Sequence, residues 1–288
     1  MEASIPHILH QTWKTRDLPA RFVELCESWR RFHPDWEIRL YDDADCRAFV
    51  TREFPDLLAL YDGLAKPIQR ADFFRYLVVF RCGGLYADVD MECRRNHDAL
   101  LAGCGLVLGV EETWSPIEVR RGRFPHRIRI ANCIFAARPE HGFLQLAIDE
   151  IRRGAAVVSP EEVIDFTGPG LLTHLVHEHG GKFPLRLLPQ ICWMPPSLPS
   201  YPDLFPFTRH IYAKHHFAGT WKTGGKHKLS FGRLIRSLVH EVWQDLREAR
   251  SPAEVLAYLR AKLPPAPLWR DDLAFWRRSR ESFGRVRL

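Results

Sequence analysis

The chain has 288 residues, 46% of them hydrophobic, enough to bury one substantial core or a domain plus an appendage, which excludes a disordered chain. No run of about 18 apolar residues occurs, and the opening Met1-Glu-Ala-Ser-Ile-Pro lacks a basic-then-apolar signal pattern, so the expectation is a cytoplasmic protein without an export signal. The net charge is +6, and +5 of it lies in Ser230 to Leu288, where twelve Lys and Arg face seven Asp and Glu.

Residues Ile5 to Trp13 read as a first strand with Ile8 inward and Trp13 at its exit. Phe22, Leu25, Cys26, Trp29 and Phe32 then keep helical spacing up to His33-Pro34. A short strand from Glu37 to Tyr41 follows, with Ile38 and Leu40 inward. Asp42 and Asp43 are placed to cap a helix from Ala44 to Glu53, and helical pattern continues from Leu57 to Leu64. Strand, helix, strand is the opening of an α/β nucleotide-binding domain.

From Pro67 to Cys82 the apolar residues again recur at helical spacing, and Gly83 and Gly84 stop the helix. Beyond them the period changes to two: Leu85, Ala87, Val89 and Met91 fall on one face, and Tyr86, Asp88, Asp90 and Glu92 on the other. Asp88 and Asp90 on one strand face have Cα atoms about 6.6 Å apart. They suit a hard divalent ion that also binds phosphate oxygens, or they are a solvated strand edge. Asp72 and Arg75, neighbours on the preceding helix, form an ion pair or face the same pocket, where they would hold ribose and phosphate or sugar groups.

Gly105 to Val110 reads as an apolar strand ending in Glu111-Glu112, Trp114 to Arg127 as an irregular loop, and Arg127 to Ala137 as a strand with one polar residue, Asn132. Glu140 to Arg153 is a helix closed by Gly154. Thr167-Gly168-Pro169-Gly170 makes a turn opening a helix, whose free N–H groups suit an anion, or it is an ordinary capped turn. His174, His177 and His179 fit no zinc-binding spacing. Seven cysteines without a Cys-x-x-Cys pair read as reduced, mostly buried thiols. Beyond Leu229, Leu234 to Leu246 form an amphipathic helix and Ser251-Pro252-Ala253-Glu254 a capping box. The arginine-dense, aromatic end either packs on the preceding domain, rests on an anionic membrane surface, or holds an anionic acceptor.

Asp72-x-x-Arg75-Tyr76 followed by Gly83-Gly84-Leu85-Tyr86-x-Asp88-x-Asp90, with His216-x-x-x-Thr220-Trp221 later, resembles the DXD-containing sugar transferases of the glycosyltransferase family 32 type. That family includes fungal α-mannosyltransferases, capsular-polysaccharide transferases and, more distantly, the catalytic domains of clostridial glucosylating toxins. The resemblance implies a GT-A α/β domain over residues 1–229, with 230–288 a helical extension. It further implies Mn²⁺- or Mg²⁺-dependent, retaining transfer from a UDP- or GDP-sugar to a glycan or lipid-linked acceptor. Carried over residue by residue, Trp13 stacks on the base, and Asp72, Arg75 and Tyr76 hold the ribose and donor sugar. Asn132 and the Gly168 turn lie beside the donor, His216, Thr220 and Trp221 lie at the diphosphate, and Asp88, Asp90 and His216 surround the metal. Peripheral contact with the inner face of a membrane is expected of the basic end, and nucleic acid is not an expected partner. The alternatives are an effector that glycosylates a protein, or a non-enzymatic membrane- or anion-binding protein.

Overall fold

The computed structural model describes residues 4–114, 116–120, 126–154, 166–195, 210–218 and 246–262, with residues 259–262 described by backbone alone. Strand β1 (Ile8–Thr12), helix α1 (Ala20–Phe32) and strand β2 (Glu37–Tyr41) open the fold. β2 has the bounds its alternation predicts, and β1 and β2 pair in parallel. Leu9, not Ile8, is the buried apolar residue of β1, and His10 and Gln11 are buried beside it. Helix α2 (Asp43–Glu53) starts at a reciprocal cap: Asp45 N–H donates to Asp42 Oδ1 at 2.8 Å and Asp42 N–H to Asp45 Oδ2 at 3.0 Å, satisfying two end donors.

After a 3-10 turn (Pro55–Leu57) and helix α3 (Leu58–Gly63), helix α4 spans Pro67–Cys82, the predicted extent. Gly83 ends it at φ 66° and Gly84 follows at φ 105°, conformations that glycine adopts without a Cβ penalty. Strand β3 is shorter than the period suggests: it runs Gly84–Ala87, and a turn at Asp88 to Asp90 separates it from β4 (Met91–Cys93). The expected single strand from Leu85 to Glu92 is therefore two strands in two sheets. Tyr86, placed by alternation on a polar face, has no exposure, because β3 is central and both its faces are covered.

The main sheet has the order β2-β1-β3-β6-β5-β7, and β4 pairs with β8 in a second, two-stranded sheet. Here β5 is Leu106–Thr113, β6 Ile128–Ala137, β7 Arg186–Leu188 and β8 Ala213–His215. β3 runs antiparallel to β6, β6 antiparallel to β5, and β5 parallel to β7. The connecting helices are α5 (Asp98–Leu101), α6 (Pro116–Arg120), α7 (Gly142–Gly154), α8 (Pro169–His179) and α9 (Gln190–Trp193). α6 lies inside the segment expected to be an irregular loop. One face of the sheet packs through Tyr86, Leu108 and Phe135 on Phe74, Leu77, Phe143 and Leu172. The other packs through Leu9, Leu85 and Ala136 on Trp29, Leu100 and Trp193. All seven cysteines are free thiols.

Helix α10 (Pro252–Lys262) is docked rather than detached: Arg120 donates to Glu254 Oε1 at 2.8 Å and to Glu248 O at 3.1 Å. Half of the predicted capping box is present: Glu254 N–H donates to Ser251 Oγ at 3.3 Å, while Glu254 Oε2 accepts from Arg250 N–H at 2.8 Å. Nearly all of the predicted helix from Leu234 to Leu246, and the arginine-dense end after Lys262, lie outside the described residues.

Candidate functional site

β1 and β3 are parallel neighbours, so Trp13, just past Thr12, and Asp88, just past Ala87, emerge at the same carboxyl edge. That edge is where open α/β sheets take ligands. Asp88 N–H donates to Cys133 O at 2.9 Å and Met91 N–H to Asp88 O at 2.9 Å, which closes the turn holding Asp88 and Asp90. The two carboxylates thus converge through a turn and not through strand alternation.

Asp90 is 8% exposed and gripped from the far end of the domain: His215 Nε2 lies 3.1 Å from its Oδ1, and Ala218 N–H donates to its Oδ2 at 2.8 Å. The ligand atoms of Asp88, Asp90 and His215 all lie within 4.8 Å of one another. The expected third member of this group was His216. β4 pairs with β8 so that Met91 faces His215, and alternation then turns His216 the other way, where its Nε2 meets Glu92 Oε2 at 2.9 Å. Burial pushes the Asp88 carboxyl above the usual range and Asp90 adds to this, while Arg75 opposes it. Burial also acts upward on Asp90, but the His215 bond and the Ala218 N–H hold it below the usual range. For His215, burial acts downward, and the Cys133 sulfur and Asp90 outweigh it, raising the imidazole pKa.

Beneath this turn lies a buried polar network. Arg75 Nη2 sits 3.0 Å from Asp72 Oδ1 and 3.4 Å from Asp88 Oδ1, Nη1 donates to Asn132 O at 2.8 Å, and the guanidinium lies over the Tyr86 ring at 4.8 Å. Asp72 also accepts from Asn132 Nδ2 at 2.9 Å and Thr167 Oγ1 at 3.0 Å. Burial pushes the Asp72 carboxyl up to about 6, against the pull of Arg75 and Thr167. Tyr76 is fully buried and its hydroxyl donates to Thr167 O at 2.8 Å. Asp72, Tyr76 and Asn132, expected to touch the donor, are here bonded to protein: they anchor Arg75 and the Thr167-Gly168 turn. Gly168 is the residue before the first turn of α8. Arg75 Nε is buried with no protein partner among the described residues.

Trp13 is half-buried, edge-on to Phe22 with ring centroids 5.0 Å apart, and packs on the small cluster that includes Val89 of the turn. Thr220 and Trp221 lie outside the described residues. Spacing alone missed Tyr86, whose hydroxyl donates to Asp88 Oδ1 at 2.9 Å, and its position two residues before Asp88 was the available signal.

A second grouping, His33, Cys93 and His97, also brings three ligand atoms within 4.8 Å. His97 N–H donates to His33 Nε2 at 2.9 Å and Trp193 Nε1 to His97 Nε2 at 3.1 Å. Each ring therefore carries its hydrogen on Nδ1, directed at Trp29 O and Arg95 O. Neither imidazole has a lone pair left for a cation, so this is a hydrogen-bonded brace tying α1 to β4 and α9.

Residues 19–104 match the sequence model of a family described as the glycosyltransferase sugar-binding region containing DXD motif. Over these residues the chain is similar to that DXD-containing family. Asp72, Arg75, Asp88 and Asp90 all fall inside that region. Inositol phosphoceramide mannosyltransferase 3 of Schizosaccharomyces pombe is 41% identical over 99 residues, 34% of this chain and 28% of the relative. Inositol phosphoceramide mannosyltransferase 2 of the same organism is 32% identical over 154 residues, 54% of this chain and 40% of the relative. The chain thus spans less than half the length of these two relatives. The initiation-specific alpha-1,6-mannosyltransferase of Candida albicans is 27% identical over 210 residues, 60% of this chain and 53% of the relative. Among solved structures, PaToxG glycosyltransferase covers 62% of this chain and 72% of its own at 19% identity and a TM-score of 0.45.

Proposed function

We propose that the protein is a metal-dependent glycosyltransferase of the GT-A type. It would move a sugar, mannose by the names of the relatives, from a UDP- or GDP-sugar to a glycan or lipid-linked acceptor with retention of configuration. The observation that carries this is the convergence of Asp88, Asp90 and His215 at the carboxyl edge of β3, beside Trp13.

Two carboxylates and one imidazole suit Mn²⁺ or Mg²⁺ completed by diphosphate oxygens. A cation bound there supplies the positive charge that stabilises the departing nucleoside diphosphate. The chain's own groups do the rest. Trp13 offers an indole face on which a base can stack. Arg75, held by Asp72 and Asn132 O, presents a fixed positive charge beside Asp88, so little reorganisation is needed when charge develops on the diphosphate. Gly168 sets a helix N-terminus next to the Asp72 network. Thr220 and Trp221 keep their proposed place at the diphosphate, and His215 replaces His216 as the proposed metal ligand. Among the described residues no helix is long and apolar enough to cross a membrane. Action in the cytoplasm, peripheral at the inner face of a membrane, belongs to the proposal.

The test is nucleoside diphosphate release from a panel of UDP- and GDP-sugars with Mn²⁺, comparing wild type with Asp90→Ala. Release from one donor that disappears in the variant supports the reading. A folded wild type that neither releases nor binds any donor overturns it.

A further inference from the structure

Two of the three arms that converge at the turn lead back to one residue of β6. Side chains alternate along that strand: Asn132 points toward α4, where it bonds Asp72, and Cys133 points to the opposite face, into the cluster that holds Met91, Met194 and Ala213. The Cys133 carbonyl accepts from Asp88 N–H at 2.9 Å, which fixes the start of the turn. Its buried thiol donates to Met194 Sδ at 3.7 Å. That bond uses the thiol hydrogen and leaves the lone pairs of the sulfur to accept another.

His215 supplies the complementary donor. Its Nε2 is the atom that meets Asp90, and a cation taking the Nε2 lone pair leaves the ring hydrogen on Nδ1. Nδ1 is buried and has no oxygen or nitrogen partner among the described residues. A buried N–H without any acceptor is costly. The side chain within hydrogen-bonding reach of the ring on its inner side is Cys133. Sulfur is a larger and weaker acceptor than oxygen, so this contact is longer than an N–H···O bond and still gives the ring a preferred direction.

We propose that Cys133 is a positioning residue for the metal group: its sulfur accepts the His215 Nδ1–H and holds the ring with Nε2 aimed at the cation shared with Asp88 and Asp90. The proposal rests on the metal-dependent transferase reading above. A ligating imidazole donates its second N–H to an outer partner that fixes its orientation and tautomer, and loss of that partner weakens metal binding by roughly ten- to a hundredfold. One residue of β6 thereby sets two arms of the group, Asp88 through its carbonyl and His215 through its sulfur.

The experiment uses the full chain and measures Mn²⁺ binding in the presence of UDP or GDP, from the loss of the free-ion electron paramagnetic resonance signal, so the readout does not depend on turnover. Cys133→Ala and Cys133→Ser remove the sulfur with nearly the same loss of packing, but only Ser keeps an acceptor facing Nδ1. Cys133→Ala should raise the Mn²⁺ Kd about tenfold or more. Cys133→Ser should hold it within about threefold of wild type, while the urea midpoints of the two variants fall together. If Cys133→Ala does not fold, Cys133→Val, which fills the space and accepts no hydrogen bond, takes its place. Equal Mn²⁺ affinity in the Ala (or Val) and Ser variants, whether unchanged or equally weakened, overturns the proposal, because the acceptor then has no effect beyond packing. A folded wild type that binds no Mn²⁺ with either nucleotide overturns the metal-dependent reading on which the proposal rests.

Discussion

The Tyr86 hydroxyl donates to Asp88 Oδ1 at 2.9 Å, the same oxygen that Arg75 Nη2 approaches at 3.4 Å. One oxygen of Asp88 is thus committed to the protein, which orients the carboxylate so that its other oxygen is the one offered to a cation. Tyr86 is itself fixed by Thr12, 2.8 Å from its hydroxyl, and by the guanidinium over its ring. The order of control runs from β1 through Tyr86 to the turn.

Tyr86→Phe removes one charge-assisted hydrogen bond and keeps the ring packed near Phe135. The expected result is weaker cation activation, by about 1.5–3 kcal/mol or roughly tenfold to a hundredfold in the Mn²⁺ concentration for half-activation. Titrating nucleoside diphosphate release with Mn²⁺ checks this, and an unchanged midpoint would remove Tyr86 from the metal site's support.

His215 and His216 give a sharper contrast because they are adjacent and chemically alike. His215→Gln should lower release at saturating donor by tens of fold or more, since both a ligand atom and the grip on Asp90 are lost. His216→Gln should stay within a few fold, since it loses only a partly exposed contact with Glu92 at 37% and 22% side-chain exposure. The reverse ranking in parallel assays would restore His216 to the metal.

How far these residues could be read in advance depended on how local their causes are. The extents of α4 and β2 and the Asp42 cap follow from spacing and short-range chemistry, and the sequence already shows them. The break after Ala87 does not: β4 leaves the main sheet to pair with β8, more than 100 residues away. That pairing also sets the alternation phase that selects His215 over His216. Asn132, a polar residue in an apolar run, and Asp72, an i,i+3 neighbour of Arg75, each had two readings, and the partners that bond them here come from β6, α4 and the Thr167 turn, none of which spacing reveals.

Gly84→Ala probes the junction that sets the turn's position. A Cβ there would come within 2.5 Å of Ile8 O at φ 105°, a backbone contact on the neighbouring strand that no rotamer relieves. The loss should be about 2–4 kcal/mol of unfolding free energy. A urea midpoint near that of wild type would mean that β1 and β3 can separate at this point.

Stability should also fall in mild acid, through histidines buried in neutral form. His10 donates from Nε2 to Gly83 O at 2.9 Å and meets the Tyr41 hydroxyl at 3.1 Å. Burial lowers its pKa to about 4, and burial lowers that of His97 to about 3. The unfolded chain binds these protons near the ordinary value of about 6.5, so it takes them up first as pH falls. The stabilisation is complete above about 6.5 and is lost progressively toward the folded values. Between pH 7.5 and 5 each residue should cost about 2 kcal/mol. Urea unfolding at the two pH values measures the difference. His10→Gln should remove about 2 kcal/mol of it by abolishing one titration, and a variant with the wild-type pH dependence would show that His10 is not the group that titrates.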